Sequence, residues 1–238
     1  MAAGLVKVGG QTATKAATAV EPDTPVLVEP PPGPTYASRG GHKLAGALDA
    51  FGYDPAGKRA LDAGASTGGF TDVLLRRGAC SVVAVDVGYG QLAWALQTDE
   101  RVTVLDRTNV RSLTLEQIGR PVDLVVADMS FIPLGLVLPA LAACARSDAD
   151  LMPMVKPQFE VGRERLPSGG VVRDPGLRAE AVRRVAEQAA ALGLGVRGVA
   201  ASPLPGPSGN VEYFLWLRAD APPLDEDLLA RAQQAGPA

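Results

Sequence analysis

The chain predicts an α/β fold built on a seven-stranded, mostly parallel sheet with helices on both faces. Three observations carry that expectation. Apolar runs of strand length alternate with segments of helical periodicity through the middle of the chain, as repeated βαβ units require. The stretch from Ala60 to Gly90, ALDAGASTGGFTDVLLRRGACSVVAVDVGYG, reads as strand, glycine turn, helix, strand and terminal acid. Asp86, Asp106 and Asp128 each close an apolar run, and ligands of open α/β sheets bind outside the carboxyl ends of the strands.

Each element follows in order. Residues 1–20 read as a strand, a Gly-Gly turn and a second strand with no core of their own. Residues 21–34, EPDTPVLVEPPPGP, carry acids and three consecutive prolines that favour extended backbone, and read as a linker. From Tyr36 a glycine turn leads into a helix with Leu44, Ala47, Leu48 and Phe51 at helical spacing. Lys43 falls in its first turn, where a cation opposes the helix dipole, so it is either simply solvated or recruited by something anionic or catalytic. Residues 60–63 form the first sheet strand, and Gly64, Gly68 and Gly69 allow a tight turn with close backbone approach to a ligand. A helix from Phe70 to Arg77 presents its N-terminus to the same spot, and the strand Ser81 to Val85 ends in Asp86.

A short helix is expected over Gln91 to Gln97, then strands at Val102 to Leu105 and Val122 to Ala127. Leu134 to Ala145 reads as an apolar helix and Asp150 to Val155 as a fifth strand, ending at Lys156. Pro157 stops that strand, and Gln158 to Arg173 lacks periodicity while carrying three glycines and three arginines, the mark of a mobile loop over a site. Asp174 followed by Pro175 starts a helix that runs to about Leu192. Val196 to Ala200 is the sixth strand. After LPGPSGN, the run VEYFLWL is the seventh, with Glu212 at its start. Residues 219–238, acidic and rich in alanine, read as a flexible tail.

At 238 residues the chain suits one main domain with short extensions. Its two cysteines, Cys80 and Cys144, lie in apolar contexts without metal-type spacing, as reduced core thiols of a cytoplasmic protein would, and no metal site is expected. The N-terminus lacks a basic region followed by an apolar run, so it does not read as a secretory signal. The most apolar long segment, Val122 to Ala145, is interrupted by Asp123, Asp128, Pro133 and Pro139, and does not read as a membrane span. Net charge is −3, of which residues up to Pro34 carry −1 and those from Ala219 carry −3, leaving +1 on the core. Arginines at 39, 163, 165, 173 and 178 allow a local basic face there, although scattered solvated arginines are the commoner arrangement.

The glycine turn narrows the ligand. The dinucleotide fingerprint needs G-x-G-x-x-G, and the chain has Gly64-x-Ser66-x-x-Gly69. The missing middle glycine is the one that admits a pyrophosphate, and Asp62 stands just ahead of the turn, so a nicotinamide dinucleotide is disfavoured. S-adenosylmethionine (SAM) carries a sulfonium, an amino group and an adenosine but no phosphate, and suits an acidic pocket flanked by Asp62 and Asp86, with the Asp86 carboxylate on the ribose diol. A nucleotide oxidoreductase and a purely structural glycine turn stay open at this point.

Lysine usage adds a second signal. Only five lysines occur, and of the three beyond the N-terminal arm, Lys43 and Lys156 hold the conspicuous places. A chain that otherwise prefers arginine and keeps lysine at a strand end points to a compact amine with chemical work. Beside Asp128 it would form an ion pair, and a structural salt bridge is the bland alternative.

Lys43, Asp128, Lys156 and Glu212 follow the K-D-K-E order of FtsJ-like ribose 2′-O-methyltransferases. The stretches SRGGHKL, LDAGASTGGFTDVLL, VDVGYGQLAW, DLVVADMSFI, VKPQFEVG, GGVVRDP and SPLPGPSGNVEYFLWL resemble the TlyA family of rRNA methyltransferases, whose members are also called haemolysins. The resemblance runs from Tyr36 to Arg218. It implies a class I SAM-dependent methyltransferase with a Rossmann-like sheet, transfer of a methyl group to a cytidine ribose in ribosomal RNA, and ribosomal RNA or ribosomal subunits as partner. It also implies a catalytic set of Lys43, Asp128, Lys156 and Glu212, and cofactor binding by Asp62, Gly64, Ser66, Gly68, Gly69, Asp86 and Asp106, the last standing where the family usually has glutamate. Residues Gly4 to Glu29 resemble only the last strands of the family's small N-terminal RNA-binding module. The expected organisation is therefore a module remnant over 1–29, a Pro-rich linker over 30–35, the methyltransferase domain over 36–218 and the tail over 219–238.

In that chemistry the sulfonium is already activated, while the ribose hydroxyl is a poor nucleophile. The tetrad would deliver its oxygen in line, with Lys156 taking the proton or orienting the oxygen, Asp128 tuning the amine, and Lys43 with Glu212 positioning the ribose. Two other classes compete. A membrane-active haemolysin is disfavoured because no spanning segment or cationic amphipathic helix is visible. A silent RNA-binding protein is disfavoured because all four tetrad residues are present.

Overall fold

The computed structural model describes residues 4–15, 17, 19–29 and 35–237. The chain divides into two compact units, residues 1–35 and 36–238. In the first, strands β1 (Val6–Val8), β2 (Gln11–Thr12) and β3 (Val26–Val28) form an antiparallel sheet in the order β2-β1-β3. Gly9 and Gly10 turn β1 into β2 with φ of 55° and 83°, a two-residue reversal that residues with a Cβ resist. The reading of 21–34 as linker throughout needs correction, because Val26–Val28 pairs with β1, Val6 opposite Val28. Three β-branched or apolar residues in a row outweigh the flanking prolines there. The Pro-rich stretch lies outside the described residues from 30 to 34.

The second unit begins with α1 (Gly40–Phe51), β4 (Arg59–Ala63), α2 (Gly69–Arg76), β5 (Ser81–Val85), α3 (Trp94–Gln97), β6 (Val102–Leu105) and α4 (Leu115–Ile118). It continues through β7 (Val122–Ala127), α5 (Leu138–Cys144), β8 (Ala145–Val155), α6 (Pro157–Glu160), α7 (Pro175–Ala190), β9 (Gly195–Ala201), β10 (Tyr213–Arg218) and α8 (Glu226–Ala235). Seven strands form one sheet in the order β6-β5-β4-β7-β8-β10-β9, parallel except for β10, which runs antiparallel to both β8 and β9.

Alternate residues of each central strand enter opposite cores, as a period of two requires. Leu61, Val83 and Val125 pack with Leu138, Leu141, Val182 and Val185 of α5 and α7. Ala60, Val82, Leu124 and Phe214 pack with Leu44, Leu48, Val73 and Leu74 of α1 and α2. The chain leaves β4 toward β5 on one side and later adds β7 on the other. The carboxyl ends of β4 and β7, Ala63 beside Ala127, are therefore the topological switch point where such sheets bind ligands.

Five local expectations change. Cys80, expected in the core with Cys144, is exposed in the turn just before β5, while Cys144 is buried. Gly40 and Gly41 lie within the first turn of α1 rather than before it. The helix expected over 134–145 is a 3-10 turn, Leu134–Leu136, followed by α5, and Cys144 gives way directly to an eleven-residue β8 whose polar first residues project beyond the core. The loop read as mobile opens with the short helix α6 and is tied at both ends: Glu160 Oε1 accepts from the Leu134 N–H at 2.8 Å, and Asn210 Oδ1 accepts from the Val172 N–H at 2.9 Å. The tail read as flexible forms α8. Asp225 caps it by accepting from the Asp227 N–H at 2.9 Å, Leu229 and Ala232 are buried, and Glu226 takes a two-pronged grip from Arg183 of α7.

Candidate active site

Two ion pairs form the centre of the site. Lys43 reaches from the first turn of α1 to Glu212, the residue just before β10, with Nζ to Oε2 at 2.5 Å and side chains 8% and 1% exposed. Lys156, at the end of β8, meets Asp128, at the end of β7, with Nζ to Oδ1 at 2.5 Å and side chains 9% and 25% exposed. Lys156 Nζ also donates to Ser130 Oγ at 2.8 Å. The four residues of the K-D-K-E order thus converge, and all line one cavity of about 440 Å³.

Backbone packing explains the convergence. A Cβ on Gly46 would stand 2.6 Å from Pro203 Cγ, and one on Gly206 would stand 2.7 Å from Glu212 Oε1, so both glycines let the loop before β10 close against α1 and seat Glu212 beside Lys43. Gly69 opens α2 where a Cβ would stand 2.2 Å from Ser38 Oγ, which brings the starts of α1 and α2 together at the cavity. The Asp128 N–H donates to the Ala63 carbonyl at 3.0 Å, joining the ends of β4 and β7.

The glycine turn lines the same cavity through Gly64, Ala65, Ser66, Thr67 and Gly69. Gly64 has φ of 82°, and its missing Cβ would sit 2.7 Å from the Asp128 carbonyl oxygen. Ser66 stands where the dinucleotide fingerprint has glycine, yet its φ is 48°, so the backbone keeps the left-handed turn against the serine's preference, at about 1–2 kcal/mol. Gly68 is absent from the cavity wall: a Cβ there would stand 2.3 Å from Leu96 Cδ1, and its glycine serves the packing of α3 against the turn.

The acids separate into three roles. Asp86 Oδ2 accepts from the Ser66 N–H at 2.8 Å and Oδ1 from the Gly88 N–H at 2.7 Å, so the carboxylate is aimed by backbone and keeps lone pairs for further donors. Asp106 Oδ2 accepts from the Gly90 N–H at 2.9 Å, steadying the loop between them, and neither Asp86 nor Asp106 lines the cavity itself. Asp62 is fully buried beneath the turn and does not line the cavity. Its Oδ2 accepts from both the backbone N–H and the hydroxyl of Thr71, while Oδ1 has no hydrogen-bond partner among the described residues. Burial pushes its pKa up to about 7 against the opposing pull of the Thr71 bonds.

A second cavity of about 370 Å³ adjoins the first. It is lined by Phe131, Phe159, Leu166, Gly170 and Ser208, and shares Ser130, Lys156, Pro207 and Glu212 with its neighbour. Phe131 is 91% exposed at φ 63°, its ring 5.2 Å from that of Phe159. Sequence reasoning missed Ser130 and this aromatic wall. Their signal was only their position, Ser130 and Phe131 two and three residues beyond the strand-end Asp128 and Phe159 three beyond the strand-end Lys156.

A profile of FtsJ-like methyltransferases matches residues 36–219. The chain belongs to that family. The chain has marked relatives: over 216 residues it is 62% identical to the 16S/23S rRNA (cytidine-2′-O)-methyltransferase TlyA of Mycobacterium tuberculosis, covering 91% of this chain and 81% of the relative. It is 36% identical to Hemolysin A of Brachyspira hyodysenteriae, covering 75% of each. A solved Streptococcus thermophilus protein with a provisional hemolysin name superposes with a TM-score of 0.83 at 35% identity, covering 98% of this chain and 88% of that one. Among the described residues, no helix of this FtsJ-like protein is long and apolar enough to cross a membrane, and no group of side chains could hold a metal ion.

Proposed function

We propose that the protein transfers a methyl group from SAM to the ribose 2′-hydroxyl of a cytidine in ribosomal RNA, acting on rRNA or ribosomal subunits in the cytoplasm. The observation that carries this reading is the meeting of two cavities at Lys156 and Glu212, one walled by the glycine turn and the other by exposed Phe131 and half-buried Phe159. The kinship with a cytidine-2′-O-methyltransferase at 62% identity supports the substrate.

The residues of the first cavity fit SAM. The turn residues that line it, Gly64 to Thr67 and Gly69, carry no basic side chain, the cavity's cations Arg39, Lys43 and Lys156 come from other segments, and Asp86, bonded to the Ser66 N–H beside the cavity rather than lining it, offers an oriented carboxylate for a ribose diol. Gly64, Ser66 and Gly69 present backbone to the cofactor, Asp106 holds the Asp86 loop, and Asp62 and Gly68 support the turn from beneath. When bound, SAM supplies a methyl group already activated as a sulfonium. Lys156 Nζ would hold the 2′-oxygen in line and, entering the step as the neutral amine, would take its proton as the oxygen bonds to the methyl group, with Asp128 balancing the charge of the ammonium that results. The Lys43–Glu212 pair fixes the wall against which the ribose rests. Phe131 and Phe159 offer faces on which an unstacked base can lie, the usual way single-stranded RNA is gripped.

The test is to incubate the purified protein with labelled SAM and ribosomal subunits, then map reverse-transcription stops at low dNTP. A stop that depends on the protein and falls at a cytidine ribose supports the reading. Label confined to bases, or no label in RNA, would overturn it.

A further inference from the structure

We propose that Ser130 is a positioning residue for methyl transfer, its hydroxyl setting the direction of the Lys156 amine where the two cavities join. The proposal rests on the role given to Lys156 above. A lysine nitrogen has three tetrahedral positions besides its carbon. Asp128 Oδ1 lies 2.5 Å away as an ion-pair partner, yet it is buried and makes no hydrogen bond among the described residues. The hydrogen bond that does form runs from Nζ to Ser130 Oγ at 2.8 Å.

Charge and direction therefore come from different neighbours. The attraction of Asp128 is Coulombic and weakly dependent on angle, whereas a hydrogen bond weakens steeply when bent. With one position set by Ser130 and Asp128 crowding the amine as its ion-pair partner, the side facing the cavities is left for the 2′-oxygen. Ser130 lines both cavities, as Lys156 does, and it is exposed, so its hydroxyl serves no core packing. The loop that carries it is anchored at both ends, by the Asp128 N–H on the Ala63 carbonyl at 3.0 Å and by the Leu134 N–H on buried Glu160 at 2.8 Å. Between the anchors Phe131 is held at φ 63°, a strain that persists only where the surroundings impose it. A hydroxyl both accepts and donates, so the contact survives the change when Nζ gains a proton.

The experiment compares Ser130→Ala, Ser130→Thr and Lys156→Met in steady-state methyl transfer from SAM to ribosomal subunits, with SAM affinity measured by calorimetry. Ser130→Ala should keep SAM affinity and the KM for subunits while kcat falls about 10-fold, the scale of one lost hydrogen bond. Ser130→Thr should restore most of that rate. A wild-type kcat in Ser130→Ala, a loss confined to KM, or a threonine variant as slow as alanine overturns the proposal. If Lys156→Met is inactive while Ser130→Ala is fully active, only the role of Ser130 fails. If Lys156→Met itself transfers at near wild-type rate, the reading of Lys156 fails with it.

Discussion

Two lysine–carboxylate pairs of equal length line one cavity, yet they sit in different surroundings. Lys43 and Glu212 are sealed, with side chains 8% and 1% exposed, and they join the first turn of α1 to the start of β10 across 169 residues of sequence. Lys156 and Asp128 stand at adjacent strand ends, where Asp128 is 25% exposed and Ser130 shares the amine. A sealed pair cannot exchange a proton or turn toward a substrate without stranding a charge, so its part is to hold geometry. The open pair can do both, and chemistry belongs there.

Breaking the sealed pair should have the largest effect on stability. Lys43→Met strands a buried carboxylate and should cost about 3–5 kcal/mol in denaturant unfolding, while Lys43→Met combined with Glu212→Gln should recover part of it. Lys156→Met removes the amine from a carboxylate that is 25% exposed but whose Oδ1 is buried, and should cost less than Lys43→Met, about 1–3 kcal/mol. Equal losses from the two lysine variants would erase the distinction.

A third carboxylate sharpens the contrast, because Asp62 is buried with no cation at all. Its folded pKa of about 7 lies above the unfolded value. Below about pH 4 both states hold the proton and nothing is lost. As pH rises toward 7 only the unfolded state releases it, so stability falls, by about 2–4 kcal/mol in all, and the loss levels off above 7. Asp128 and Asp86 push in the same direction. Asp62→Asn, which still accepts from Thr71, should flatten that slope in melting curves from pH 4 to 8. An unchanged slope would show that Asp62 ionises freely.

At the cofactor the expected effect is on binding rather than on folding. Asp86→Ala removes a carboxylate aimed by two backbone N–H groups and should weaken SAM by about 1.5–3 kcal/mol in calorimetry, with little change in folding. Unchanged affinity in the folded variant would remove Asp86 from the site.

The sheet was legible because its strands are apolar on both faces and bounded by glycine, proline or acid, and the strand-end acids and lysines marked the ligand side. The partnership of Lys43 with Glu212 was not legible from spacing, since it depends on how Gly46 and Gly206 let distant segments close. Nor was the division among the glycines: Gly64 and Gly69 face the cavity, while Gly68 is fixed by Leu96, and the string of residues looks alike for both duties. Helix α8 was hidden because its two buried residues, Leu229 and Ala232, are a weak apolar stripe until α7 and β9 offer a surface. Ser130 was hidden because a lone serine after a strand has no pattern.

The central claim is that the amine of Lys156 acts in transfer and not in binding or folding. Measuring methyl transfer to ribosomal subunits by Lys156→Met, beside its SAM affinity and melting temperature, tests it most directly. The account expects a folded protein with near wild-type SAM affinity and a transfer rate lowered about 10²–10⁴-fold. A rate near that of the wild type would contradict it and return the Lys156–Asp128 pair to a structural salt bridge.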